Sequence, residues 1–136
     1  MKKKIIFLMI ALAGFLFVGV QSANAQTHYS VTFGWNDFAC ECGEILDKEV
    51  KITLYTYPGN VEVDPTDWET ATTNPYTVYS TVEDGLEDCQ TDCYRVVVEI
   101  RYTDSGGECC TGSSYETFTG AELVNGATFT LTIPLF

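Results

Sequence analysis

Histidine is nearly missing from this 136-residue chain, which has one, His28, and basic residues are scarce, with seven lysines and arginines against 19 aspartates and glutamates. A lone imidazole near the start of the folded part reads as an exposed residue rather than a general base, and it cannot build a histidine metal site. The chain also lacks a Gly-x-Ser-x-Gly elbow, a Gly-rich phosphate loop and a His-Glu-x-x-His pair, so the usual residue sets for hydrolysis and phosphoryl transfer are absent. Paired carboxylates would suit a glycosidase, but among 19 acids such a pair carries no information. No enzyme is expected.

Long apolar runs are equally few. The one present, residues 5–20, is 16 residues long, short of the roughly 20 that span a bilayer. It follows Lys2-Lys3-Lys4 and ends in Ser22-Ala23-Asn24-Ala25, the three-part pattern of a cleavable export signal of bacterial style. Residues 1–25 are therefore expected to be removed, leaving 26–136 as one domain with no membrane insertion after cleavage. No cysteine follows the cut, so no lipid anchor is expected. Removing three lysines leaves 4 basic against 19 acidic residues, a net charge of −15 compared with −12 for the whole chain. Such a field repels nucleic acid and anionic lipid and favours cations, basic partners or plain solubility.

What is present is cysteine in an even number and apolar residues at period two. Cys40, Cys42, Cys89, Cys93, Cys109 and Cys110 in a small exported domain read as three disulfides. Six thiols allow fifteen pairings, and excluding the cramped Cys40–Cys42 and Cys109–Cys110 closures leaves ten. A zinc site is the rival reading, disfavoured by the spacing and by the oxidising route of export.

The organising stretch is 93–103, in which Tyr94, Val96, Val98, Ile100 and Tyr102 fall on one side and Arg95, Glu99 and Arg101 on the other. It is the expected central strand. Further strands are expected at 29–35, 49–57, 76–82 and 115–119 and, after an Asn125-Gly126 turn, 127–136, with a short edge strand around Val61 and Val63. Residues 36–47, 64–74, 83–92 and 104–114 read as polar loops, and Pro134 places the end of the last strand at a sheet edge. With no amphipathic helix expected, the fold class is all-β. The architecture is a two-layer antiparallel β-sandwich of immunoglobulin-like or related plan, with six to seven strands, stabilised by disulfides.

If successive strands simply run up and down, loops 36–47 and 83–92 share one end of the sandwich. Cross-bridges between Cys40/Cys42 and Cys89/Cys93 then become plausible, and Cys109 and Cys110 are left stranded. The same two loops hold nine of the 19 acids. The ordinary reading is solvated loop carboxylates; the alternative is a calcium site drawing on Asp37, Asp84, Glu87, Asp88 and Asp92. No other cofactor is expected. Tyr55 and Tyr57, opposite the apolar face of their strand, and Trp68, beside Pro65 in a polar loop, are candidate contacts for a protein or glycan, unless they merely cover their neighbours. The sequence thus points to a non-catalytic exported binding or structural protein of the bacterial envelope or extracellular space. Two alternatives stand beside it: a calcium-stabilised adhesion or carbohydrate-binding module, and a self-assembling surface subunit that exchanges strands. The partner and oligomeric state are not specified by the sequence.

Overall fold

The computed structural model describes residues 25–36 and 40–133. The leader expectation (apart from Ala25), Asp37 and Pro134 lie outside these residues. Eight strands and one short helix are formed within them: β1 (Thr27–Gly34), β2 (Asp47–Thr56), β3 (Glu62–Pro65), β4 (Glu69–Thr70), β5 (Tyr76–Val82), β6 (Tyr94–Asp104), β7 (Gly107–Phe118), α1 (Gly120–Val124) and β8 (Ala127–Thr130). They make two sheets, one ordered β5-β1-β8 and the other β3-β2-β6-β7 with β4 also on β2.

The expected central strand is central. β6 pairs antiparallel with β2 from Asp47↔Thr103 to Thr56↔Tyr94 and on its other side with β7. Its alternation is realised without a break: Tyr94, Val96, Val98, Ile100 and Tyr102 are all buried. Val50, Ile52 and Leu54 of β2 line the same face, and Val31, Phe33 and Val78 of the second sheet close over it. Fully burying each such side chain contributes about 1.5–3 kcal/mol, so this shared face is the main source of cohesion.

Several loop expectations are overturned. Residues 64–74 do not form a free loop, because they run the length of β2 as an interrupted edge. Pro65 pairs with Thr53, and Glu69 and Thr70 pair with Val50 and Glu49. Between these, Thr66 N donates to Ile52 O at 2.9 Å, while the Thr66 hydroxyl accepts from Ile52 N at 3.0 Å and donates to Ile52 O at 3.1 Å, so side chain and backbone share this rung. Pattern reading misses this edge because its side chains are polar on both faces and its hydrogen bonding is partly done by a side chain. Asn74 plays a similar part beside β1: its amide accepts from Trp35 N and donates to Trp35 O.

The stretch 104–114 is also not a loop. β7 begins at Gly107 and absorbs the shorter strand expected at 115–119. Its glycine has a packing reason, since a Cβ on Gly112 would lie 2.9 Å from Ile133 Cγ2. Against the expectation of no helix, Thr119 caps α1 through a reciprocal capping box with Glu122. Asn125-Gly126 is therefore a helix end and not a hairpin: Asn125 is the C-cap, and Gly126 follows at φ 87°. The chain then enters the other sheet, where β8 lies parallel to β1, from Val31↔Ala127 to Gly34↔Thr130. The last strand is thus shorter than 127–136, although Leu131 and Ile133 continue its buried period.

The full-length edge along β2 reverses the up-and-down count, so loops 36–47 and 83–92 lie at opposite ends. The start of β2 meets the end of β6, and the bridges follow this geometry: Cys40–Cys110, Cys42–Cys109 and Cys89–Cys93. The expected cross-bridges to Cys89 and Cys93 do not form. Adjacent strand residues normally point to opposite faces, yet Cys109 and Cys110 both reach the same loop. A register shift between Tyr102 and Thr103 leaves Cys109 as the extra residue of a β-bulge, which re-aims its side chain.

The two sheets are also tied by a polar bridge. Asp64 Oδ2 on β3 accepts the Tyr29 hydroxyl of β1 at 2.9 Å and the Ser80 hydroxyl of β5. Burial, reinforced by the neighbouring Asp64 charge, raises the Tyr29 pKa well above the ordinary tyrosine value.

Three outcomes follow. Gly120 sits against the 83–93 loop so closely that a Cβ would lie 2.1 Å from Glu87 O, and Gly120→Ala is expected to cost about 1–3 kcal/mol in urea unfolding. The parallel bridges close sequence separations of 70 and 67, and with one in place the other closes a ring of only a few residues. Removing either alone should therefore cost roughly 2 kcal/mol, whereas removing both should cost roughly 6 kcal/mol, more than twice as much, read from denaturant midpoints. As pH rises past about 10, unfolded tyrosine ionises while folded Tyr29 stays protonated, so stability should fall with a steeper alkaline slope than in Tyr29→Phe. Equal slopes would show that Tyr29 does not contribute.

Candidate functional site

The side of β2, β6 and β7 turned away from the core carries a different set of residues in register. Across the three strands run Glu49, Arg101 and Thr111; then Lys51, Glu99 and Ser113; then Thr53, Val97 and Tyr115; then Tyr55, Arg95 and Thr117. After removal of the expected leader the chain has four basic residues, Lys48, Lys51, Arg95 and Arg101. All four lie on β2 and β6, and Lys51, Arg95 and Arg101 share this outer face. In a strongly acidic protein the face is a local exception.

Two ion pairs link directly opposed residues. Arg101 Nε donates to Glu49 Oε2 at 2.7 Å, and Lys51 Nζ lies 3.0 Å from Glu99 Oε2. The Glu49 hydrogen bond raises the Arg101 pKa further. Trp68, held between β3 and β4, folds across β2 onto this pair of cations, its ring centroid 4.3 Å from Arg101 Cζ and 5.0 Å from Lys51 Nζ. Beside it opens a groove of about 450 Å³ lined by Trp68, Glu99, Arg101, Glu108, Thr111 and Ser113.

At the other end of the face, six residues along β6 and so about 20 Å away, Arg95 Cζ lies 5.0 Å from the Tyr57 ring centroid and 4.7 Å from that of Tyr115. Its Nη1 donates to Asn60 Oδ1 at 3.0 Å, while its Nε is buried with no acceptor among the described residues. Tyr115 is 62% exposed, and Tyr55, opposite Arg95, is half-buried.

The three sequence-derived aromatic candidates thus belong to one face: Trp68 at one end, Tyr55 and Tyr57 at the other. The cations and Tyr115 complete it. Arg95 and Arg101 were legible as the polar side of the central strand; Tyr115 was not, because its position depends on the β6–β7 register. Of the acidic candidates, Asp84, Glu87, Asp88 and Asp92 lie in the loop between β5 and β6, where Asp92 takes the Thr117 hydroxyl and the Glu87 amide donates to the Tyr94 hydroxyl at 2.6 Å. Among the described residues, no three carboxylates bring their oxygens together at one point. The one cluster of metal-type ligand atoms among the described residues is Cys42, Asp104 and Cys109, and its two sulfurs are bonded to each other. His28 sits in the other sheet with Nδ1 against Thr81 Oγ1. No helix among the described residues is long and apolar enough to cross a membrane.

No protein-family model, curated protein or solved structure matches this chain.

What the face can do follows from its chemistry. Exposed rings offer flat apolar contact, the threonine and serine hydroxyls offer donors and acceptors, and the paired charges fix side-chain positions beneath them. Substitution at Trp68 should be felt locally: Trp68→Ala is expected to leave the fold intact but uncover Lys51 and Arg101, costing about 0.5–1 kcal/mol for each exposed cation–ring contact, read by thermal unfolding at low and high salt.

Proposed function

We propose that this chain is a non-catalytic, exported binding module whose ligand surface is the outer face of the five-stranded sheet, and that the ligand is a glycan of the envelope or extracellular space. The observation that carries the reading is the collection of Trp68, Tyr57 and Tyr115 with Lys51, Arg95 and Arg101 on one solvent-facing sheet surface, opposite the core. Sugar rings stack on such aromatics and bond to rows of hydroxyls such as Thr111 and Ser113. An extended peptide, by contrast, is ordinarily captured by adding to a sheet edge.

Three bridges suit an oxidising compartment, which supports export. The pairing order also supports an immunoglobulin-like or related plan. β5-β1 and β3-β2-β6-β7 follow the E-B and C′-C-F-G orders of that architecture, while β8 occupies the edge position of the A strand but runs parallel to β1, where that plan is antiparallel.

The test is a glycan array probed with the oxidised protein from residue 26 onward and with a Trp68→Ala/Tyr115→Ala variant of unchanged circular dichroism. Binding to a subset of glycans, reduced at least about tenfold in the variant, is the expected result, since stacking on each ring contributes about 0.5–1.5 kcal/mol. Equal binding by both proteins, or no binding by either, would overturn the reading.

A further inference from the structure

We propose that the Arg95 end of the outer face is a receptor for one isolated carboxylate on the glycan, so that the preferred ligand carries a uronic-acid residue flanked by neutral sugars. This rests on the glycan reading above and goes beyond it in naming the charged group recognised.

The argument begins from the contrast between Arg95 and its neighbours. Arg101 and Lys51 each face a glutamate across the β2–β6 pairing, and each is bonded to it. Arg95 faces Tyr55 on one side and Thr117 on the other. It makes no ion pair with a carboxylate among the described residues. Asp92, which shares Thr117 with this end of the face, uses Oδ2 to accept that threonine's hydroxyl.

A guanidinium has five N–H donors in a planar fork suited to a carboxylate. One of Arg95's Nη groups serves Asn60, and its buried Nε serves no acceptor among the described residues. Tyr57 and Tyr115 hold the fork on two sides, so it is ordered before any ligand arrives. On binding, Tyr115, which is 62% exposed, would turn from the guanidinium to stack on the sugar ring that carries the acid, while Tyr57 and Asn60 keep the fork in place. A bidentate approach to Nε and the free Nη would satisfy the orphaned donor.

The same face argues against a densely charged polymer. Moving along β6 from Arg95, a second and third carboxylate would meet Glu99, Glu49 and Glu108, whose neighbouring cations are already engaged. The net charge of −15 carried by residues 26–136 adds a general repulsion that grows with each acid on the ligand. Screening over roughly 8 Å at physiological salt lets one carboxylate seated on Arg95 escape most of that field, whereas a run of them cannot. Neutral sugars following the acid along β6 would instead lie over the Ser113 and Thr111 hydroxyls.

Calorimetric titration of the oxidised protein tests this with three probes: a β-linked trisaccharide with one central glucuronic acid, the same trisaccharide with glucose at that place, and an oligogalacturonate of equal length. The single-acid probe is expected to bind at least about tenfold more tightly than either of the others, and to weaken severalfold between 50 and 500 mM salt. Arg95→Gln should erase its advantage over the neutral trisaccharide, while Arg95→Lys, which keeps the charge but not the fork, should retain part of it. If Arg95→Gln does not fold, the Lys variant and the salt series on the parent protein decide the matter. Equal binding of the acid and neutral probes, or an advantage untouched by Arg95→Gln, would overturn the carboxylate receptor and leave the glycan reading standing. Tightest binding of the oligogalacturonate would overturn the isolated-acid specificity. Failure of every probe would overturn the proposal, and the array result then decides separately whether the glycan reading falls with it. Self-association that Arg95→Gln abolishes, seen by light scattering, would assign the site to a second copy of the chain and also overturn it.

Discussion

The antiparallel pairing of β2 with β6 sets the geometry on which the remaining structure is built. Ten consecutive pairs, from Asp47↔Thr103 to Thr56↔Tyr94, align Val50 with Ile100, Ile52 with Val98 and Leu54 with Val96 on one face. A slip of one residue would turn these side chains to solvent and send Arg95, Glu99 and Arg101 inward. A slip of two keeps the greasy face inward, so hydrophobicity alone does not forbid it. The charges do: one direction sets Lys51 against Arg101, and the other sets Glu49 against Glu99. The native pairs Glu49–Arg101 and Lys51–Glu99 add little stability, about 0.2–1 kcal/mol each, but they favour the native register over slips of two that keep the apolar face inward.

Once that register is set, the ends of the molecule follow. The beginning of β2 lies at the finish of β6, so the loop carrying Cys40 and Cys42 arrives beside the β6–β7 hairpin, where the bulge presents Cys109 and Cys110. Asp104 consolidates this meeting by accepting from Gly43 N at 3.1 Å and Gly106 N at 2.7 Å. The opposite end closes differently. The segment 83–93 is held by its own small Cys89–Cys93 ring, by Tyr94 and by the bare surface of Gly120. One end is therefore locked by long-range bridges and the other by close packing on a glycine.

The parts legible in sequence were those in which a buried face repeats every second residue. β1, β2 and β6 were legible to within two residues of their observed bounds, and β5 at its observed bounds, because apolar positions alternate with polar ones. The edge formed by β3 and β4 was legible only as a short strand around Val61 and Val63; its continuation through 64–74 was not, since the side chains there are polar and Thr66 supplies part of its ladder. β7 was half hidden because Gly106, Gly107 and the cysteine pair look like loop punctuation, whereas the glycine at 112 answers a demand from Ile133, a residue remote in sequence. The helix was legible in principle: Thr119 followed three residues later by Glu122 is a capping signal, passed over because five helical residues are too few to show periodicity. The disulfide pairing could not be chosen from spacing, because the choice turns on which end each loop reaches, and that depends on the full length of the β3–β4 edge.

On the proposed reading, fold specification and recognition share residues of the outer face. With so few bases in residues 26–136, placing Lys51 and Arg101 opposite glutamates uses them to hold register. The same period continued along β6 brings Arg95 to the face, but the residue opposite it on β2 is Tyr55 and the one on β7 is Thr117. Neither can neutralise a guanidinium; rings from Tyr57 and Tyr115 shelter it instead. Shelter without an acceptor carries a cost, since a buried donor left unbonded destabilises by about 1–3 kcal/mol. A glutamate at position 55 or 117 would relieve that cost and extend the charge ladder by one more rung. Tyrosine and threonine at those positions leave Arg95 Nε without an acceptor among the described residues, which is the condition the proposed carboxylate receptor requires.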